Sequence, residues 1–178
     1  MDSDEELMAR AGAGSEPAFR TLAQRHVPAM LRLAQRFLRN PADAEDVVQE
    51  SLIRIWVQAP RWRPEAALRT WLYRVVVNLC IDRDRRVSPA SLDDVPDPVD
   101  PTPGPQESLE EREMTAAVTD SLAALPARQR AAITLTHYEG FSDAEAAEML
   151  ATSVGSIESL LVRARGTLRE RLQRLRNR

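Results

Sequence analysis

The sequence predicts an all-α protein made of two small helical bundles joined by an acidic, proline-rich linker. Three observations support this fold class. Apolar residues recur at three- and four-residue spacing along most of the chain, no alternating β-patterned runs bounded by turn residues occur, and one proline-rich segment interrupts the helical pattern. At 178 residues and 43% hydrophobic content, the chain has enough apolar side chains to pack such bundles.

The linker sets the domain boundaries. It holds six of the twelve prolines, and residues 88–113 carry eight acids against one arginine. Both flanking parts are mildly basic, so the net charge of -3 comes from the middle of the chain. We predict domains over residues 1–87 and 111–178 with a linker over 88–110. A solvated spacer and a functional segment are both compatible with this composition.

Three helices are predicted before the linker, at residues 16–39, 41–59 and 65–86. The second of these helices is predicted to begin at Pro41, with Asn40 as its N-cap. The outward side of this helix mixes branched apolar residues with acids, which favours docking on a basic protein partner. Packing against another helix of the same bundle is the alternative. The outward residues are Asp46, Gln49, Glu50, Ile53 and Val57.

A loop rich in proline and arginine, residues 60–64, connects the second and third helices. It places Trp62 between two arginines, a combination that can stack an unpaired base and contact phosphates. In the third helix a polar strip is expected to face outward beside Trp71, which fits strand-separated DNA. Considered apart from the strip, Trp71 is more typical of a core residue than of a base-stacking residue, whereas Trp62 fits both roles about equally. The strip consists of Thr70, Arg74, Asn78 and Arg85.

After the linker, helices are predicted at residues 106–125 and 127–139, followed by a helix-turn-helix at 141–172. Ser142 and Glu145 form a capping box, and Phe141 stands where a hydrophobic staple would sit. Small residues make the turn before Ser153 caps the second helix.

The second helix of this pair has two contrasting faces. Its apolar stripe, which must be buried, is Ile157, Leu161, Ala164, Leu168, Leu172 and Leu175. The opposite face is small enough to enter a major groove and consists of Gly155, Ser156, Ser159, Val162 and Arg163. The alternative is an ordinary surface helix of a small bundle.

Other classes of function are disfavoured. Cys80 is the single cysteine, so an intramolecular disulfide and a cysteine zinc site are excluded, and a reducing cytoplasm fits. His26 and His137 are the only histidines, and His26 is expected in the core. We therefore predict no catalytic residue, no metal, no cofactor and no enzymatic activity. No apolar run approaches the roughly 20 residues of a membrane span, so membrane insertion is not expected.

Three segments resemble one known family. NPADAEDVVQESLIRIW, TWLYRVVVNLCIDRDRR and LPARQRAAITLTHYEGFSDAEAAEMLATSVGSIESLLVRAR, in this order, are similar to bacterial sigma factors of the extracytoplasmic-function group within the sigma-70 family. The resemblance covers residues 16–172. It implies an alternative sigma factor of stress responses that binds core RNA polymerase, directs promoter-specific transcription initiation and is controlled by an anti-sigma factor. The predicted domains would be sigma regions 2 and 4.

The resemblance also implies roles for particular residues. The β′ clamp helices of the polymerase would bind Asp46, Gln49, Glu50 and Ile53, and the β flap would bind region 4. The promoter's minus-ten element would be opened and read by Trp62, Arg63, Thr70, Trp71, Arg74, Asn78, Asp82 and Arg85. The minus-thirty-five element would be read by Ser153, Ser156, Glu158, Ser159, Arg163 and Arg165.

One departure from the family weakens the upstream contact. Many members carry basic residues where this chain has Glu158 and Leu160. Glu158 repels phosphate or accepts from a cytosine amine, and Leu160 lies at the edge of the apolar stripe. This helix is therefore expected to bind DNA poorly unless it is tethered to polymerase. A stand-alone helix-turn-helix regulator is the alternative function, but it leaves the Asp46 face and the Trp62 loop unexplained.

Overall fold

The computed structural model describes residues 2–65, 67–87 and 109–176. Within these residues the protein is helical and contains no strand, which confirms the predicted fold class. The helices are α1 (Asp4–Gly12), α2 (Glu16–Phe37), α3 (Pro41–Gln58), α4 (Leu68–Val87), α5 (Leu109–Ala123), α6 (Ala127–Ile133), α7 (Asp143–Met149) and α8 (Val154–Arg176). Nearly all of the predicted linker lies outside the described residues, so the domain boundaries stay a prediction.

Helix α1 was not predicted, although its start carries a clear signal. The Ser3 hydroxyl accepts from the backbone N–H of Glu6, and the Glu6 carboxylate accepts from the backbone N–H of Ser3. This is the same capping box that marks α7. Leu7, Met8 and Ala11 are buried, so α1 forms part of the N-terminal core.

Helices α2, α3 and α4 follow the prediction closely except at one end. Residues predicted to begin the third helix instead form a turn, in which the Glu65 N–H donates to the carbonyl of Arg63 at 2.8 Å. Helix α4 therefore starts only at Leu68. The buried side chains of the three helices include Leu33, Phe37, Ile55, Leu72 and Val76.

The helix predicted at residues 127–139 is two segments. The α-helical part ends at Ile133, and a π-helical segment, Thr134–Tyr138, follows it. Its wider turn is closed by a bond from the Glu139 N–H to the Thr134 carbonyl at 3.1 Å. Gly140, with φ +73°, then adopts a conformation that other residues rarely accept and redirects the chain into α7.

The helix-turn-helix has the predicted anatomy. The capping box at Ser142 is present, and Phe141 and Ala146 are both buried at the start of α7. The turn passes through Ala151, whose φ is 49°. The apolar stripe of α8 is buried at Ile157, Leu161 and Ala164 and half-buried at Leu168 and Leu172.

The two bundles contact each other directly. Helix α4 packs against α6 and α7, and α2 packs against α5. Arg130 of α6 lies at the centre of this interface, with 4% of its surface exposed. It donates to the carbonyl of Phe37 at 2.6 Å and to the Asp84 carboxylate at 3.0 Å, both in the N-terminal bundle. The sequence alone gave no expectation about this relative placement.

Candidate nucleic-acid and partner interfaces

The outer face of α3 is exposed as predicted. Ile53 and Val57 are 64% and 67% exposed, although both are branched apolar side chains. Asp46, Gln49 and Glu50 are exposed on the same helix. Because one helix presents both exposed apolar groups and carboxylates, this surface has the composition of a docking site.

The carboxylates of this face are held by neighbouring arginines. Glu50 pairs with Arg54 one turn later at 2.6 Å, and Asp46 accepts from Arg83 of α4 at 3.1 Å. Arg83 also pairs with Asp43, so α3 and α4 are joined along this edge. These pairs fix the side-chain directions, but partial solvent exposure limits what each contributes to stability.

A cleft of about 470 Å³ lies where the loop after α3 meets α4. It brings together five of the eight residues predicted for the minus-ten element, and these are Trp62, Arg63, Thr70, Trp71 and Arg74. Asn78, Asp82 and Arg85 are exposed further along α4 and do not line the cleft.

Two details of the cleft differ from the expectation. Thr70 was expected to face outward but is only 5% exposed, because the loop that carries Trp62 lies beside the first turn of α4. Trp71, considered by itself, was expected to be a core residue. It is half-buried and lines the cleft together with Trp62. Both indole rings therefore have one side packed on the core and one side at the cleft.

Sequence reasoning missed the contribution of the C-terminal bundle to this cleft. Glu148 and Met149 of α7 complete its lining. Beside it, Glu139 accepts from Arg36 of α2 at 2.6 Å, and its backbone carbonyl accepts from Arg69 of α4 at 2.7 Å. No local pattern reveals these pairs, since the partners are 70 residues or more apart in the sequence.

Aromatic contacts reinforce the same junction. The Arg69 guanidinium lies 4.1 Å from the ring centroid of Phe141 and 4.9 Å from that of Tyr73. The two rings meet edge to face, with their centroids 5.2 Å apart. Tyr73 belongs to α4 and Phe141 precedes α7, so the bundles share a packed aromatic contact.

The outer face of α8 is exposed along its length. Exposed side chains include Ser156, Glu158, Ser159, Arg163 and Arg165. The prediction named Val162 on this face but gave it no role, and it is 67% exposed. Leu160 is half-buried and packs on the core, in line with its place at the edge of the stripe.

Four of the six predicted upstream-reading side chains already have partners, and one of these contacts joins the hydroxyls of Ser153 and Ser156 at 2.9 Å. The Ser153 hydroxyl accepts from the Ser156 N–H at 3.2 Å, so it caps α8 as expected. The Ser159 hydroxyl donates to the carbonyl of Gly155 at 2.9 Å. Arg165 lies 3.1 Å from Nε2 of His137. Among the described residues, Arg163 and Glu158 are therefore the charged groups of this face whose side chains make no hydrogen bond or ion pair.

The remaining titratable groups do not assemble a reaction centre among the described residues. No cluster of three histidine, cysteine or acidic side chains in that part of the chain has metal-binding geometry. Burial raises the pKa of the Cys80 thiol to about 12. His26 is half-buried rather than a core residue, and its Nε2 lies 2.6 Å from the Asp4 carboxylate. No helix in the described ranges has the length and apolar character needed to cross a membrane.

Comparison with known proteins identifies the family. The chain matches the family Sigma-70 region 2 over residues 22–88 and the family Sigma-70, region 4 over residues 115–168. It is 37% identical over 169 residues to the ECF RNA polymerase sigma factor SigM of Mycobacterium tuberculosis, across 93% of this chain and 83% of SigM. The chain belongs to the extracytoplasmic-function sigma factors of the sigma-70 family. Both matched families act in transcription initiation and neither is an enzyme family.

Further relatives agree with this assignment. The sigma factor is 32% identical over 177 residues to CnrH of Cupriavidus metallidurans, across 94% of this chain and 93% of CnrH. The structure of CnrH in complex with the cytosolic domain of CnrY has a TM-score of 0.72, with 31% identity, over 97% of this chain and 98% of that one. RpoE of Bartonella quintana, solved with the anti-sigma factor NepR, has a TM-score of 0.68 at 28% identity, over 87% and 96%.

Proposed function

We propose that this sigma factor docks on core RNA polymerase through the outer face of α3, captures the opened minus-ten strand in the Trp62 cleft and reads the minus-thirty-five element with α8. One observation carries the proposal. Helix α3 runs without a break into the turn Ala59–Arg61, and the next residue is Trp62. A polymerase bound to α3 is therefore rigidly connected to the loop that borders the cleft.

The docking step rests on exposed apolar area. Burial of Ile53 and Val57 under a partner lowers the free energy of the complex, because both side chains now face water. Asp46 and Glu50 lie on the same exposed face, and their carboxylates can exchange Arg83 and Arg54 for a basic surface such as the β′ clamp helices. Apolar anchors with charged groups at their rim are typical of stable protein interfaces.

The strand-capture step rests on the chemistry of the cleft. Trp62 and Trp71 offer aromatic faces, and each base stacked on an aromatic side chain is worth about 1–3 kcal/mol. Arg63 and Arg74 supply positive charge for phosphates. The cleft volume of about 470 Å³ lies within the usual range for small-ligand sites, about 300–1,000 Å³. It is therefore large enough to accept a flipped base.

The upstream step rests on the shape of α8. Ser156, Ser159 and Val162 leave room for close approach to base edges, and Arg163 supplies a forked donor for guanine or phosphate. Glu158 disfavours phosphate and favours a cytosine amine. This face therefore supports a modest contact that becomes effective when the polymerase holds the helix near DNA.

The remaining parts of the proposal follow from membership of the family. The sigma factor acts in the cytoplasm without a cofactor, and the chemistry of RNA synthesis belongs to the polymerase. An anti-sigma factor holds it inactive, as the solved complex of its structural neighbour RpoE with NepR suggests. A contact between region 4 and the β flap completes the polymerase interface.

Run-off transcription with purified core polymerase and a promoter library tests the function. The wild-type protein should direct specific transcripts, and Asp46→Arg combined with Glu50→Arg should reduce polymerase binding more than about 30-fold, as expected for interface hot spots. Asp120→Arg, at an exposed site on α5, is the control for one such charge reversal and is compared with Asp46→Arg alone as well as with the double variant. Circular dichroism checks that each variant is folded.

Two outcomes would overturn the proposal. If the α3 variant and the Asp120→Arg control bind polymerase equally well, α3 is not the docking face. If the wild-type protein binds a specific duplex and regulates without any effect on core polymerase, it is a stand-alone regulator.

A further inference from the structure

A close backbone contact joins the end of α1 to the turn that precedes Trp62. Gly12 is the last residue of α1. A Cβ atom at this position would lie 2.7 Å from the carbonyl oxygen of Ala59, 3.0 Å from its carbonyl carbon and 3.3 Å from Cα of Pro60. All three neighbours are backbone atoms, which cannot rotate aside as a long side chain does. Only glycine therefore allows α1 to approach the turn this closely.

The oxygen that Gly12 touches also organises the cleft loop. The Trp62 N–H donates to the carbonyl of Ala59 at 3.2 Å and to that of Gln58 at 3.0 Å. Any shift of the Ala59 carbonyl therefore moves the backbone of Trp62. The Trp62 side chain borders the cleft opposite Trp71 and Arg74. A single carbonyl group thus connects α1 to the proposed base-capturing residue.

The other end of α1 is fixed to α2. Asp4 accepts from Arg25 at 2.7 Å and lies 2.6 Å from the His26 ring. Arg25 also donates to the carbonyl of Asp2 at 2.9 Å. Between these polar contacts and Gly12, the buried side chains of Leu7 and Met8 fill the space under α1. Because it is held at both ends, α1 transmits the position of α2 to the turn.

We propose that α1 positions the Trp62 loop for base capture, and that Gly12 is a positioning residue for the opening of promoter DNA. This inference rests on the proposed role of the Trp62 cleft. Gly12 itself is not proposed to contact DNA. It acts by setting the position of the Ala59 carbonyl, which in turn sets the orientation of the Trp62 backbone. The α3 docking face lies on the same bundle but does not include this contact.

The test compares Gly12→Ala with Gly166→Ala, both assembled with core polymerase. Gly166 lies within α8, where an added Cβ meets no atom within 4 Å. Three quantities are measured: the affinity for core polymerase, the affinity of the holoenzyme for a single-stranded minus-ten oligonucleotide, and the permanganate reactivity of thymines opened in duplex promoter DNA. Gly12→Ala should leave polymerase affinity unchanged and lower the other two about tenfold, as expected for the loss of one stacked base. Gly166→Ala should match the wild-type protein.

A double-mutant cycle separates positioning from general destabilisation. In a Trp62→Ala background, Gly12→Ala should cause no further loss of oligonucleotide binding, because the ring that it positions is gone. Should Gly12→Ala unfold the bundle, Asp4→Asn loosens the far end of α1 without adding atoms at the turn. Asp4→Asn should lower oligonucleotide affinity about threefold, as expected for the loss of a partly exposed ion pair. Polymerase affinity should be unchanged.

The outcomes are distinguishable. Wild-type oligonucleotide binding by folded Gly12→Ala, or an equal loss in the Trp62→Ala background, would overturn the positioning role. A wild-type protein that opens no promoter with core polymerase would instead overturn the proposed function itself.

Discussion

The two surfaces of this sigma factor that are proposed to bind DNA differ in accessibility. The outer face of α8 is open to solvent, with Ser156, Ser159 and Val162 all exposed. The Trp62 cleft is bordered by Glu148 and Met149 of the opposite bundle. A carboxylate at the edge of a cleft repels phosphate, so Glu148 opposes the entry of a DNA strand in this arrangement. Under the proposed function, capture of the minus-ten strand therefore needs α7 to move, whereas the proposed upstream contact of α8 does not.

Two kinds of contact hold the bundles in this arrangement. Arg130 is buried, and within its own bundle it donates to the carbonyls of Leu122, Ala123 and Leu125 at 3.1, 2.7 and 2.9 Å. Glu139 lies nearer the surface and pairs with Arg36. The Arg130 contacts belong both to the core of the C-terminal bundle and to the interface, whereas the Glu139 pair belongs to the interface alone. Changes at these two positions should therefore have different consequences.

Arg130→Met should have the largest effect. It removes a buried cation that bonds five acceptors, among them the carbonyls of Leu122, Ala123 and Leu125, which lose this donor. We expect the free energy of unfolding to fall by about 3 kcal/mol or more. Urea titration followed by circular dichroism measures it.

Arg128→Met is the matched control for this prediction. Arg128 is exposed and donates to the single carbonyl of Leu150 at 3.0 Å. Its loss should cost less than about 1 kcal/mol. Equal unfolding free energies for the two variants would mean that Arg130 is not the main contact of this bundle.

Glu139→Gln should have a smaller effect on stability and a specific effect on the cleft. The neutral amide keeps the shape of the side chain but removes the charge that pairs with Arg36 and Arg69. Both arginines are more than one third exposed, so the contribution of the pairs is reduced by solvent. We expect the free protein to bind a single-stranded minus-ten oligonucleotide about three- to tenfold more tightly, since a weaker interface exposes the cleft more often. Fluorescence anisotropy without polymerase measures this affinity.

Charge alone would also strengthen DNA binding, and Asp120→Asn controls for it. Asp120 is exposed on α5, and its substitution removes the same single charge. If both variants gain equally, the change reflects net charge, and the interface does not limit access to the cleft.

Helices were predictable where their signals are local. Asn40 followed by Pro41 placed the start of α3, and Ser142 with Glu145 placed the cap of α7, because capping depends on residues two or three positions apart. The start of α1 carries an equivalent capping box at Ser3 and Glu6, which was not used in the prediction. The exposed face of α3 was also predictable, since helical periodicity alone decides which side chains point away from a core.

The arrangement of the bundles was not predictable for a physical reason. Arg130 meets Asp84 across 46 positions, and Arg36 meets Glu139 across 103. Arginine and glutamate are ordinary surface residues in a sequence, and only the packed fold shows that these lie at an interface. The π-helical segment is similar, because the wider turn at Thr134 depends on packing and not on a local motif.

Acid should have the smallest effect, and it acts through one carboxylate in each bundle. Burial raises the pKa of Asp4, but hydrogen bonds from Arg25 and His26 and their charges outweigh it and hold the pKa below its ordinary value. In the other bundle, hydrogen bonds from the backbone and hydroxyl of Ser142 lower the pKa of Glu145. A carboxyl with a lowered folded-state pKa stabilises the fold above its unfolded pKa of about 4, and this contribution is lost as the pH falls through the folded value.

The carboxylates can therefore be separated by comparing Asp4→Asn and Glu145→Gln with the wild-type protein at different pH values. Each variant should be less stable than wild type at pH 6. Each difference should shrink as the pH falls below about 4, where the unfolded carboxyl is protonated first, and disappear once the folded carboxyl is protonated too. All three tryptophans lie in the N-terminal bundle, so the tryptophan unfolding transition should respond to Asp4→Asn. Glu145→Gln should alter mainly the transition seen by circular dichroism.

A difference in stability that stays constant from pH 6 to about pH 3 would show that the lost contact is not the ionised one. If both probes respond equally to both variants, the interface around Arg130 couples the bundles into one cooperative unit, and the difference between the two DNA-facing surfaces does not extend to stability.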